Sequence, residues 1–178
     1  MKPASGPGLV TPERFIADAL QNRHVRAILA RWERLELQDG WLVAGCLFQT
    51  VWNLLDGGPA EAGIKDYDIF YFDDSDLGEA AEVRVQDRVS CVLSDLGIVV
   101  EATNQARVHL WYEQHFGHPY PRLSDSREGI ELYAPHGLDM LYQGILTPNT
   151  LTDHRLLFRR KAASYRGRWP WLKVVEPS

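Results

Sequence analysis

The chain has 178 residues, 45% of them hydrophobic and 24% charged, the make-up of an ordinary globular domain able to bury a normal core. Its net charge of −5 speaks against bulk, sequence-independent binding of DNA, and no apolar run is long enough to span a bilayer. Two cysteines, Cys46 and Cys91, lie far from any Cys-x-x-Cys spacing, which argues against a disulfide framework or zinc ribbon and for a reducing cytoplasm.

Residues 1–10, rich in Pro and Gly and without a signal peptide's apolar core, read as a flexible leader to a single domain over 11–178. Thr11-Pro12 is a helix start, a capping residue with Pro at the first helical position. Helical pattern runs to about Glu36 with a break near Asn22, and Val25, Ile28, Leu29 and Trp32 form its apolar stripe. Asp39-Gly40 ends it. Trp41 to Ala44 is a short strand, Gly45-Cys46 a tight exit, and Leu47 to Leu55 a second helix. Lys65 to Asp73 is a strand opened by Asp66 and Asp68. Asp76-Leu77-Gly78-Glu79 has capping-box spacing ahead of a helix whose stripe includes Val85, Val89 and Leu96 and which stops at Gly97. Ile98 to Thr103 is a strand with Val99, Glu101 and Thr103 on one face. Further on, Ile130 to Tyr133 suggests a strand, Gly137 to Leu146 a short helix, and about 151–166 a final helix. Trp169-Pro170-Trp171-Leu172 closes the chain as a packing clamp.

The chemistry concentrates on Asp66-Tyr67-Asp68. Alternation along a strand puts both carboxylates on one face, with Phe70 and Phe72 following. Two like charges side by side are costly unless a cation lies between them, and oxygen ligands suit Mg²⁺ or Mn²⁺. In haloacid-dehalogenase-like phosphatases and in Asp-x-Asp glycosyltransferases the acidic pair ends a hydrophobic strand. Here the apolar run follows the pair, which removes both readings. The bland alternative is a solvated strand edge with Asp66 and Asp68 paired to Lys65, and for Glu101 a surface carboxylate or a partner for Arg107. His109, His115 and His118 match no standard metal spacing.

Strand, Gly turn, helix, strand with Asp-x-Asp, helix, strand with a third carboxylate: this order resembles the nucleotidyltransferase fold of the DNA polymerase β-like superfamily. Trp41 to Gly45, Val51-Trp52-Asn53, Lys65 to Asp68 and the run Asn104 to Tyr112 are similar to a bacterial branch of nucleotidyltransferase family proteins, as are Tyr133 to Asp139 and Pro148-Asn149. The resemblance covers roughly residues 25–173 and implies an α+β fold, a small mixed sheet flanked by helices. It further implies metal-dependent transfer of a nucleoside monophosphate from an NTP to an acceptor hydroxyl. Asp66 and Asp68 would hold Mg²⁺ or Mn²⁺, two such ions being about 3.5–4 Å apart in two-metal sites. Glu101 would complete the metal site and help to deprotonate the acceptor. Backbone N–H groups after the Gly45-Cys46 turn would approach the triphosphate, and Lys161 would touch it. Asn104, Gln105 and Arg107 would either reach substrate or satisfy backbone groups in a turn.

Two departures from the superfamily pattern stand out. Cys46 occupies the place where a phosphate-contacting Ser is common, and Ser124 to Ile130 bridges a gap where more chain is expected. They support an alternative, a nucleotide-binding or partner-binding module on the same fold without turnover. The acceptor is unidentified, with a small molecule ranked ahead of RNA or protein. The basic segment from Arg155 to Lys173 reads as a solvated helix face before it reads as a polyanion site.

Overall fold

A computed structural model describes residues 9–107, 132, 134, 137–148 and 155–175. Among them are six α-helices and five short strands, a mixed α/β architecture. The expectations for 1–8, 108–131 and 149–154, including most of the 130–133 strand, the 124–130 connection and the start of the last helix, lie outside the described residues.

Helix α1 spans Pro12–Ala19 and is capped by Thr11, whose hydroxyl accepts from the Arg14 N–H. The break expected near Asn22 is there, and its cause is a new cap. The Asn22 side-chain oxygen accepts from the N–H groups of His24 and Val25 and starts α2 (Arg23–Leu29). A 3₁₀ turn over Trp32–Leu35 leads to β1 (Trp41–Val43), and α3 (Gly45–Leu55) leaves it without a loop. Next come β2 (Asp66–Tyr71), α4 (Glu79–Val92) and β3 (Val99–Asn104). The Asp76 side chain binds the Gly78 N–H at 2.9 Å instead of closing a capping box, so α4 starts three residues after it. Farther along lie α5 (Asp139–Tyr142), β4 (Ile145–Leu146), α6 (Arg155–Arg168) and β5 (Lys173–Val174). The helix expected over Gly137 to Leu146 is thus one turn followed by a strand, because Gly144 (φ 65°) ends the turn and Ile145-Leu146 pairs with β5.

The main sheet has the order β1-β2-β3, with β1 antiparallel and β3 parallel to the central β2. One face of β2 carries Tyr67, Ile69 and Tyr71, all buried, against Val25 and Ile28 of α2, Cys46 of α3, and Val89 and Leu93 of the α4 region. The opposite edge of α3 meets α6 through an aromatic seam. Trp52 lies 5.4 Å from Tyr165 and 5.3 Å from Trp169, and the Trp169 ring N–H donates to Asn53. Trp169, Trp171 and Leu172 therefore act as the packing clamp that their composition suggested. No described helix is long and apolar enough to cross a membrane.

Candidate active site

Burial along β2 alternates strictly, with Asp66, Asp68 and Phe70 half-buried on one face while Tyr67, Ile69 and Tyr71 are buried on the other. The register then does what periodicity cannot. Asp68 pairs with Glu101 of β3 on one side and with Val43 of β1 on the other, and Asp66 pairs with Val99. Residues paired across neighbouring strands point to the same face, so Glu101 stands beside Asp68. Among the described residues no hydrogen bond or ion pair neutralises any of the three carboxylates.

The electrostatics record this crowding. Burial, then the charges of Asp66 and Glu101, push the Asp68 carboxyl above its ordinary range, and Lys161 opposes the shift. Lys161 of α6 therefore lies near enough for its charge to act on Asp68. One helical turn on, Tyr165 is raised by burial and then by Asp66, with Asp68 adding to it and Arg168 opposing. In sequence Tyr165 reads only as part of the last helix's stripe, after Phe158 and Ala162 at i, i+4 and i+7, although its i+4 spacing from Lys161 was a signal that could have tied it to the site.

The turn into α3 is built differently from its sequence. Ala44, not Gly45, takes the positive-φ conformation, at φ 56° and ψ −126°. Gly45 is already helical, and a Cβ there would come within 2.9 Å of the Gln49 amide. The Gln49 oxygen accepts from Arg168 at 2.5 Å, so this amide ties α3 to α6. No side chain caps the start of α3, which leaves its first N–H groups to other partners. Cys46 points the opposite way. Its thiol is fully buried and donates to the Val43 carbonyl at 3.4 Å. It is pushed up to about 12, by burial first and then by the charge of Asp68, while the Asp68 backbone N–H counters by bonding the sulfur. The side chain at this position belongs to the core; what the turn offers outward is backbone.

Asn104 and Arg107 are committed to a turn. The Asn104 side chain accepts from the N–H groups of Asp73 and Ala106 and donates to the Asp73 carbonyl at 2.8 Å. Arg107 pairs with Glu82 and donates to the Leu77 carbonyl. Of the two options open for these residues, both side chains spend their polar groups on the protein itself.

Among the described residues no three acidic, histidine or cysteine side chains converge closely enough to hold a metal ion. Mg²⁺, however, keeps several waters and is bound by one or two carboxylates together with substrate phosphates rather than in an all-protein cage. Two aspartates on one face, short of positive charge, are a hard-oxygen set that fits such an ion.

A family model described as "Nucleotidyltransferase" matches residues 30–131 and 122–174. No curated protein matches the chain. A structure solved by NMR, described as revealing a CCA-adding enzyme head domain, is similar with a TM-score of 0.68 and 21% identity, over 94% of this chain and 97% of that one. At that identity the likeness speaks for the fold.

Proposed function

Because the chain belongs to the nucleotidyltransferase family, we propose that it transfers a nucleoside monophosphate from an NTP to an acceptor hydroxyl in a metal-dependent reaction. The observation that carries this reading is the Asp68–Glu101 pairing beside Asp66, on a sheet face whose charges the described protein leaves uncompensated. Asp66 and Asp68 would hold Mg²⁺ or Mn²⁺ together with substrate phosphates, and Glu101 would complete the set once its side chain closes on the ion, since the three do not converge without it. When bound, the metal supplies charge neutralisation for a phosphoryl centre rich in negative charge.

The chain's own residues divide the remaining work. Backbone N–H groups at the uncapped start of α3 face the phosphates, where helix termini favour anions. Lys161 adds the positive charge opposite Asp68. Glu101, exposed at the rim, accepts the proton of the acceptor hydroxyl. Asn104 and Arg107 hold the turn that follows β3 and so serve the site indirectly. The two free thiols, Cys46 and Cys91, support a reducing, cytoplasmic setting. The acceptor is an open cleft-side ligand, with a small molecule ahead of RNA or protein.

The rival reading, a binding module without turnover, leaned partly on Cys46 as a lost phosphate contact. Burial of that thiol removes most of its weight, since Cys46 has core work of its own. Calorimetry with MgATP and MgCTP on wild type and Asp68→Asn, together with pyrophosphate release over a broad acceptor panel, separates the two. The enzyme reading expects metal-dependent binding and a drop in turnover of about 10²–10³-fold in Asp68→Asn, of the order seen when a key charge-stabilising group is lost. Binding without pyrophosphate release on any acceptor would favour the module, and no binding at millimolar metal nucleotide would sink both.

A further inference from the structure

Strand β3 is the last strand of its sheet, and an edge strand presents unpaired N–H and C=O groups on its outer side. Here α4 meets those groups with side chains. The Gln86 amide donates to the Val100 carbonyl at 2.9 Å and accepts from the Ala102 N–H at 2.7 Å. One turn earlier on α4, the Glu82 carboxylate accepts from the Asn104 N–H at 2.8 Å and is itself paired with Arg107. One primary amide thus takes the place of a neighbouring strand's peptide group, with donor and acceptor in the required order.

The position of this contact is what matters. Val100 and Ala102 are the two residues flanking Glu101, and their side chains are buried on the face opposite the carboxylates. Glu101 is exposed, and among the described residues no hydrogen bond or ion pair orients its carboxylate. Its aim depends on the backbone on either side, which Gln86 clamps on the outer edge while the pairing with Asp68 fixes the inner one.

We infer that Gln86 is a positioning residue for Glu101, holding the third carboxylate beside Asp68 from outside the site. The inference rests on the proposed metal role of Asp66, Asp68 and Glu101. Gln86 touches neither substrate nor metal; it acts through the β3 backbone, as outer-shell partners act through ligands. Gln86→Met keeps the length of the side chain and removes both hydrogen bonds to β3, along with the one the amide donates to the Ser90 hydroxyl on its own helix. Gln86→Glu keeps the acceptor for Ala102 and loses the donor to Val100.

The test is a double-mutant cycle read by Mn²⁺ titration, with free Mn²⁺ followed by electron paramagnetic resonance. Hydrogen exchange at the Ala102 amide gives a second readout that needs no metal. Gln86→Met should weaken Mn²⁺ binding about tenfold, at the low end of outer-shell effects, and should lose Ala102 protection. In a Glu101→Gln background the same change should alter Mn²⁺ affinity less than twofold, because the group it positions is gone. A clamp that merely stabilises the fold would lower affinity equally in both backgrounds, which would overturn the inference. So would loss of Ala102 protection with unchanged Mn²⁺ affinity. If Gln86→Met does not fold, Gln86→Glu enters the same cycle, with a smaller weakening expected and the same decision. Wild type that takes up no Mn²⁺ at millimolar levels removes the proposed function, and this inference with it. That failure is distinct from a clamp that fails while wild type binds.

Discussion

The two faces of β2 make a controlled comparison, since they share one strand, one backbone and the same few residues of sequence. On the core face a buried polar network closes on itself within the chain. The Asn22 amide donates to Thr50 and to the Tyr67 hydroxyl at 2.9 and 3.3 Å, and the Thr50 hydroxyl donates to the Cys46 carbonyl at 2.6 Å. On the other face Asp66 and Asp68, with Glu101 beside them, have no described partner, and Asp68 is strained electrostatically by its neighbours. Buried polar groups that serve the fold find partners within the chain. Groups that do not are the ones for which a partner from outside makes physical sense.

The comparison can be broken most forcefully on the core face. Asn22→Ala removes the cap of α2 and leaves the buried Tyr67 hydroxyl without its partner, a cost of about 3 kcal/mol. Thermal denaturation should show the midpoint falling by roughly 6–12 °C, with MgATP affinity unchanged in the folded protein well below that midpoint. A midpoint shift of a degree or less would mean that the network is not holding the core.

Asp68→Asn should do the reverse on the acid face. A carboxyl raised in the folded state contributes stability that is fully present below its unfolded value and is lost as pH rises through the folded one. At pH 7 without metal, Asp68 therefore costs the wild type stability, and Asp68→Asn should melt higher by roughly 2 °C, a small figure because the group is only half-buried and screened by solvent. The advantage should shrink as pH falls below the raised value toward the ordinary carboxylate range. Added Mg²⁺ should raise the wild-type midpoint and leave Asp68→Asn where it was. An Asp68→Asn midpoint below wild type at pH 7 would show that the carboxylate is paired after all.

The smallest expected effect sharpens the boundary between the faces. Ala44 holds a positive φ where the chain turns from β1 into α3, a conformation that favours glycine. Ala44→Gly should stabilise by about 0.5 kcal/mol, the strain relieved less the entropy that glycine brings. If it destabilises, the methyl group is packing at the turn rather than enduring it.

Much of this was legible in the chain because it is local. Thr11-Pro12 announces α1, and the i, i+2 spacing of Asp66 and Asp68 fixes them to one face whatever they pair with. Other features were misplaced because the deciding partner is remote in sequence. Gly45 drew attention as the turn residue, yet Ala44 bears the turn, and Gly45 is small because the Gln49 amide, held by Arg168, lies against it. Cys46 could be read as a weakened phosphate contact until the core was seen around its thiol. Gln86 gave no signal at all, since a glutamine on a helix announces nothing about the strand it will cap.

By itself, then, the sequence determined the alternation of β2, the order of elements and the presence of three carboxylates on two strands, because periods of 2 and 3.6 and capping preferences are properties of neighbouring residues. The tertiary structure alone decided that Asp68 lies against Glu101, that the charge of Lys161 on α6 reaches Asp68, and that Asn104, Arg107 and Cys46 turn inward. Register and side-chain partnership are set by which surfaces exclude water together, and a one-residue slip of β3 would have turned Glu101 to the opposite face.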